Sequence, residues 1–142
     1  MKLTSPEFGH EESIPEKFTC DGEDINPALE IKDVPENTQC LALIVDDPDA
    51  PGKTWIHWVV FNIPVTHSIS EDSVPGTQGL NDFGKQSYGG PCPPSGTHRY
   101  FFKLYALDKE LDLPEGARKE QLEKAMEGHV TAQAELIGTY QR

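Results

Sequence analysis

Three polar side chains with acid–base chemistry stand where predicted strands begin or end. Asp47 follows the apolar run at residues 41–45, and His57 opens the next apolar run ten residues later. His98 opens a third run in the same way. Because neighbouring antiparallel strands meet at one rim of a sheet, these side chains can lie together. Two imidazoles beside a carboxylate can bind an anion, move a proton or hold a metal that activates water.

Other catalytic motifs fit the sequence poorly. Residues 52–54 (GKT) resemble the end of a phosphate-binding loop, but Asp47 stands where that motif requires its first glycine. Ser87 lies in a motif resembling a nucleophile elbow with one residue too many, and no strand–turn–helix pattern surrounds it. No dense signature such as H-E-x-x-H marks a metal site. A hydrolase or another enzyme using Asp47, His57 and His98, with or without a metal, stays open as the alternative to simple binding.

The segment before His98 has the composition of a functional loop. Residues 65–98 hold six glycines and four prolines over 34 positions. Loops of that length are uncommon in compact domains and usually serve a function or are disordered. This loop runs directly into the apolar run at residues 99–107, so we expect it to form part of a site.

Hydrophobic patterning predicts a mostly β protein. Residues 41–45, 56–63 and 99–107 are apolar enough for buried strands, while residues 130–136 alternate as a half-buried strand does. Shorter strands are expected at residues 2–8 and 28–31, with a further one near 78–83. One surface helix is predicted at about 117–127, capped by Gly128. This order favours an antiparallel β-sandwich of two sheets with one or two peripheral helices.

Length, charge and cysteine content restrict the function. A chain of 142 residues is the size of one domain, residues 1–142. The net charge of −12 should repel nucleic acid and anionic lipid surfaces. Three cysteines without a C-x-x-C motif favour reduced thiols, and the N-terminal residues lack the apolar run of a signal peptide or anchor. We therefore expect a soluble, cytoplasmic protein without stable membrane insertion. Cys92 is either a reactive thiol or a filler of the loop, and we favour the filler.

Several long motifs resemble the phosphatidylethanolamine-binding protein family, most closely its small bacterial and archaeal, kinase inhibitor-like branch. These motifs are DPDAP at 47–51, WIHWVVFNIP at 55–64 and GPCPPSGTHRYFF at 90–102. The TCDGEDINP run at 19–27 and the GHV run at 128–130 also resemble that branch. The resemblance covers nearly the whole chain and implies a β-sandwich with a small anion pocket at one end.

The resemblance also implies which residues line that pocket. They are Asp47, the two histidines His57 and His98, Tyr100, the pair Pro93 and Pro94, and the lip Gly89 and Gly90. Protonated imidazoles can bind a phosphate through charge-assisted hydrogen bonds, and glycine N–H groups can form an anion-binding concavity. If Tyr100 points into the pocket, Arg99 points away, so we expect Arg99 to form a structural pair with Asp49.

The sequence thus predicts a non-catalytic binding protein for a small anion such as phosphate, a phospholipid head group or a phosphorylated metabolite. No cofactor and no metal are expected. The resemblance further implies a kinase or protease partner that the protein modulates, and it allows a homodimer.

Overall fold

The computed structural model describes residues 1–142 as nine β-strands and one α-helix. The strands are β1 Lys2–Thr4, β2 Glu12–Ser13, β3 Leu29–Lys32, β4 Cys40–Asp47, β5 Trp55–Ile63, β6 Ser68–Ile69, β7 Thr77–Gln78, β8 Thr97–Leu107 and β9 Val130–Gln141. The helix α1 is Lys119–Met126, and a short 3₁₀ helix covers Glu16–Phe18. The predicted mostly β architecture with a peripheral helix is confirmed.

The strands form two sheets. The smaller has the order β1-β3-β6, and the larger has the order β2-β9-β8-β4-β5-β7. Neighbouring strands are antiparallel except for β2, which pairs with β9 in parallel. The three long central strands β8, β4 and β5 are those that the apolar runs predict, and their ends carry the candidate site.

The main core lies between the two sheets. Leu29 and Ile31 reach it from the small sheet, while Leu43 and Phe102 reach it from the large one. Burying each such side chain contributes roughly 1.5–3 kcal/mol. Along β8 the even-numbered residues from His98 to Ala106 are buried and the odd-numbered ones are more exposed, as the period of a strand requires. The first two core-facing positions of this strand are therefore His98 and Tyr100, at the open end of the sandwich.

A second, smaller core covers the other face of the large sheet. Ala42 and Ile44 of β4 pack there with Leu122 and Met126 of α1. This explains why all eight residues of β4 are buried, as its continuous apolar run predicts. The helix begins two residues later than predicted, and Gly128 follows it with φ +77°, a conformation that favours glycine.

The prediction of reduced thiols is wrong for two of the three cysteines. Cys20 and Cys92 form a disulfide with their Cα atoms 5.5 Å apart, and only Cys40 is free and buried. The two bonded residues are 72 positions apart, so no spacing motif marks them. Cys92 is consequently a cross-link and not a filler, and the cysteine count no longer argues for a reducing compartment.

Candidate functional site

A cavity of about 230 Å³ opens at the end of the sandwich, where β4, β5 and β8 meet. We call it the anion pocket because the sequence leads us to expect an anion there. Six of the eight residues predicted for the site line it: Asp47, His57, Pro93, Pro94, His98 and Tyr100. Gly89 and Gly90 do not; they line a neighbouring side cavity of about 480 Å³.

Strand order brings the polar residues together. Asp47 is the last residue of β4 and pairs with Trp55, the first residue of β5. On the other side of β4, Asp46 pairs with Phe101 of β8, which places His98 close to the same rim. Since β8 and β5 flank β4, their polar ends converge on one carboxylate.

Asp47 and His98 form a buried pair. The Nδ1 atom of His98 lies 2.7 Å from Oδ2 of Asp47, and both side chains are at least nine-tenths buried. The other carboxylate oxygen accepts the backbone N–H of Asp49 at 2.8 Å. Both Asp47 oxygens are therefore occupied. The carboxylate holds the imidazole in one orientation and leaves Nε2 of His98 without a protein partner.

His57 is held in a defined tautomer. Its Nδ1 atom lies 2.7 Å from the carbonyl oxygen of Gly89. A carbonyl can only accept, so Nδ1 carries the proton and Nε2 of the neutral ring has a lone pair. Burial lowers the pKa of His57 below its ordinary value, although the Gly89 carbonyl and the Asp47 charge act in the opposite direction. In the absence of a ligand the ring is neutral near pH 7.

Tyr100 offers a donor with no partner. The residue is 1% exposed, and its hydroxyl makes no hydrogen bond within the protein, although the Asp47 carboxylate and the Cys92 backbone lie near it. The ring packs edge-on against His57, with the ring centroids 5.2 Å apart. Burial and the nearby Asp47 charge raise the pKa of Tyr100, so the hydroxyl stays protonated. A buried, unsatisfied hydroxyl is costly and favours a bound hydrogen-bond acceptor in this cavity.

Gly89 and Gly90 are predicted to form the lip of the pocket, but their N–H groups bond to other parts of the protein. The Gly89 N–H donates to the carbonyl of His57 at 3.0 Å, and the Gly90 N–H donates to Oδ1 of Asp24 at 2.7 Å. Neither N–H group is free for the anion-binding concavity that the sequence led us to expect. A Cβ atom at Gly90 would stand 2.4 Å from the carbonyl oxygen of Phe18, so this close approach requires glycine.

Arg99 has the structural role predicted for it. Its Nε and Nη2 atoms bond the two carboxylate oxygens of Asp49, each at 2.9 Å. The Arg99 backbone N–H adds a third bond to the same carboxylate. This fork faces away from the pocket and ties the loop after β4 to β8.

Sequence reasoning missed several pocket residues. Trp55 and Phe83 form an edge-on aromatic pair at the mouth, with centroids 5.7 Å apart, and Cys92 contributes the disulfide to the wall. Trp55 stands two residues before His57, and residues two apart on a strand share a face, which could have identified it. Phe83 lies in a turn of the long loop, and no local pattern marks it.

No group of three or more His, Cys, Asp or Glu side chains is arranged to hold a metal ion. The single α-helix is too short and too polar to cross a membrane.

Comparison with known proteins gives one consistent result. A model of the family described as "Phosphatidylethanolamine-binding protein" matches residues 4–141. A UPF0098 protein of Methanothermobacter thermautotrophicus is 53% identical, covering 100% of this chain and 99% of its own. A UPF0098 protein of Aquifex aeolicus is 50% identical, covering 100% of this chain and 89% of its own.

Solved structures agree with this result. A crystal structure of a phosphatidylethanolamine-binding protein homologue from Chlamydia trachomatis is 45% identical with a TM-score of 0.96, covering 99% of this chain and 97% of its own. Escherichia coli YbcL, described as a new member of the mammalian PEBP family, is 32% identical to this chain with a TM-score of 0.91. The match covers 99% of this chain and 98% of the YbcL chain.

Proposed function

Since this chain belongs to the phosphatidylethanolamine-binding protein family, we propose that its anion pocket binds phosphate or a phosphate group carried by a small molecule or lipid head group. Binding, without chemical conversion of the ligand, is the function that we infer. The observation that carries the proposal is the buried Tyr100 hydroxyl, which has no partner within the protein and lines the pocket. An anion oxygen would accept its hydrogen bond.

The two histidines suit the charge of such a ligand. Each ring uses Nδ1 within the protein, which leaves both Nε2 atoms for a ligand. A bound phosphate favours the protonated rings, so binding should take up protons and raise the pKa of both histidines. The Asp47 carboxylate then stabilises the positive charge on His98 through their existing bond.

The size and opening of the pocket fit a substituted phosphate. A volume of about 230 Å³ exceeds that of a single water, whose share of liquid volume is about 30 Å³. Trp55 is half-buried and Phe83 is 42% exposed at the mouth, so an organic substituent on the phosphate can extend out of the pocket between or beside them.

Imidazole NMR signals test the proposal. We expect millimolar inorganic phosphate to shift the ring signals of His57 and His98 and to raise both pKa values. His129, which bonds Asp108 outside the pocket, serves as the internal control and should not move. In the Asp47→Asn variant we expect phosphate affinity to fall by about tenfold, because a charge-assisted bond to His98 becomes neutral. Unchanged His57 and His98 signals at millimolar phosphate would show that the pocket does not bind it.

The Asp47–His98 pair also favours a second candidate, general acid–base catalysis on a bound phosphate ester. A carboxylate that orients Nδ1 of a histidine is the arrangement of a general base. No serine, threonine or free thiol lines the anion pocket, so the attacking group would be water or one of the pocket's own His, Asp or Tyr side chains. Turnover of phosphate esters that is lost in His98→Gln would support this candidate, and binding without turnover would support the first.

A further inference from the structure

The Cys20–Cys92 disulfide forms part of the wall between the two cavities. Cys92 lines both the anion pocket and the side cavity, and Cys20 lines the side cavity. Both residues are half-buried, and both line the side cavity. The cross-link therefore lies next to the ligand site and at an accessible surface.

The disulfide is the covalent tie of one pocket wall. Pro91 accepts the backbone N–H of Cys20 at 3.1 Å, and Gly96 exchanges two backbone hydrogen bonds with Arg142. Between these anchors, residues 92–95 make no backbone hydrogen bond and lie outside every strand. This short segment contains Pro93 and Pro94, which line the anion pocket. Breaking the disulfide would remove the covalent tie at Cys92 and leave residues 92–95 held only through the hydrogen-bonded anchors at Pro91 and Gly96.

The two sulfur atoms are not equivalent. Nη1 of Arg142 lies 3.3 Å from Sγ of Cys92, while its Nη2 atom lies 3.3 Å from a carboxylate oxygen of Asp21. The paired Asp21 offsets part of the guanidinium charge, but the Arg142 backbone bonds to Gly96 keep the group in place. A nearby positive charge makes a sulfur a better leaving thiolate.

We propose that the Cys20–Cys92 disulfide is a modification site for a small thiol, and that its opening loosens the anion pocket. The thiolate of the incoming thiol attacks Sγ of Cys20, after its proton has passed to solvent. The Cys20–Cys92 bond breaks, a mixed disulfide forms on Cys20, and the electron pair leaves on Sγ of Cys92 beside Arg142. A second thiol molecule then releases Cys20 as a thiol and leaves as the oxidised disulfide of the small thiol.

The charge around Cys20 selects the thiol. Glu23 and Asp24 follow it closely and are exposed, while the nearer Asp21 and the Arg142 guanidinium form an ion pair that offsets both charges. The whole chain carries a net charge of −12. Lys85 is the one cation lining the same side cavity. An anionic thiol is repelled by this environment, and a cationic thiol is attracted. The site is thus suited to an amine-bearing thiol more than to a carboxylate-bearing one.

Exchange rates test the modification site without any pocket ligand. With every rate expressed per mole of thiolate, we expect cysteamine to open the disulfide about tenfold faster than 3-mercaptopropionate at low ionic strength, with the difference much reduced at about 1 M salt. Peptide mass mapping after alkylation should place the first adduct on Cys20. In Arg142→Gln we expect slower opening and adducts on both cysteines. Equal rates for the two thiols, or a first adduct on Cys92 in the parent protein, would overturn the proposal.

Cys40 provides the matched control for accessibility. It is buried, and burial raises the pKa of its thiol, so it should remain unmodified under the same conditions. A Cys40→Ser variant removes it from the mass analysis and should show the same rates as the parent protein.

The effect on the pocket rests on the proposed phosphate binding and has its own measurement. We expect the oxidised protein to bind inorganic phosphate about tenfold more tightly than the Cys20→Ser, Cys92→Ser double variant. Parent protein that has been reduced by cysteamine should show the same tenfold lower affinity. Equal affinities in all three forms would refute the link between disulfide and pocket. If the oxidised protein itself binds no phosphate, the proposed function fails, while the exchange rates still decide the modification site.

Discussion

At the scale of single residues, most polar groups of the pocket form hydrogen bonds within the protein, and one group forms none. Asp47 uses both oxygens, and His57 and His98 each use Nδ1. Tyr100 alone has a fully buried polar atom without a partner in the pocket. The protein thus fixes the orientation of the ligand-facing groups before a ligand arrives, which reduces the entropy lost on binding.

Replacement of Tyr100 by phenylalanine should separate binding from stability. The variant removes an unsatisfied buried hydroxyl, so its free energy of unfolding without ligand should be unchanged or higher by about 1 kcal/mol. Phosphate affinity should fall by roughly tenfold or more, since a hydrogen bond to a charged group is lost. Chemical denaturation and calorimetric titration measure the two effects. Tyr105→Phe on the outer face is the control, and Tyr100→Phe with parent-like affinity would contradict the assignment.

The lowered pKa of His57 predicts that the stability of the protein depends on pH. Its folded-state pKa lies below its unfolded value, so the unfolded state binds more protons and stability falls as pH drops below about 6.5. The slope from this group is at most about 1.4 kcal/mol per pH unit. In His57→Asn the side-chain amide can still donate to the Gly89 carbonyl but does not titrate. Unfolding curves between pH 5 and 7 should therefore be flatter for the variant, and parallel curves would refute this role.

At the scale of elements, the loop between β4 and β5 is attached to β8 by one ion pair. Asp49 accepts three hydrogen bonds from Arg99, and two residues before it Asp47 ends β4 inside the pocket. The Arg99 guanidinium lowers the pKa of Asp49 to about 2. This contact keeps the loop, and with it the Asp47–His98 pair, against the neighbouring strand.

Asp49→Asn should destabilise the protein in a pH-dependent way. Because the carboxylate pKa is lowered in the folded state, its contribution is present above about pH 4 and is lost as pH falls through about 2. The Asp49 side chain is 29% exposed and that of Arg99 is 53% exposed, so solvent screening limits the effect to about 1 kcal/mol at pH 7. The comparison is Glu123→Gln in the exposed pair with Lys119 on α1, which should cost less than about 0.5 kcal/mol. An Asp49→Asn deficit that is the same at pH 2 and pH 7 would contradict the prediction.

At the scale of the whole molecule, the pocket must bind an anion against a net charge of −12. Long-range repulsion is screened beyond about 10 Å at 0.1 M salt but reaches about 30 Å at 0.01 M. The short contacts from the two histidines and Tyr100 must therefore supply the binding free energy, and the surrounding charge opposes it.

Removing distant negative charge should strengthen phosphate binding at low ionic strength. The exposed residues Glu115, Glu120 and Glu127 line neither cavity, and changing all three to glutamine takes the net charge from −12 to −9. We expect affinity to rise about twofold at 0.01 M salt and to stay unchanged at about 1 M. An affinity gain that persists at 1 M salt would instead indicate a local structural change.

Much of the architecture follows from local sequence patterns. The continuous apolar residues of β4 indicate burial on both faces, and the alternation of β9 indicates burial on one. The same period of two explains why Tyr100 faces the pocket and Arg99 faces Asp49. Strand ends marked by Asp47, His57 and His98 predict their convergence, because antiparallel neighbours share a rim.

The sequence by itself therefore determined the long strands, the faces of their side chains and the polar residues at the mouth of the sandwich. Only the tertiary structure decided which distant segments meet there. It joins Cys20 to Cys92, brings Phe83 beside Trp55 and uses the N–H groups of Gly89 and Gly90 within the protein. The physical reason is that period and propensity act over a few residues, whereas these contacts bring together loops that only the packed sheets hold in place.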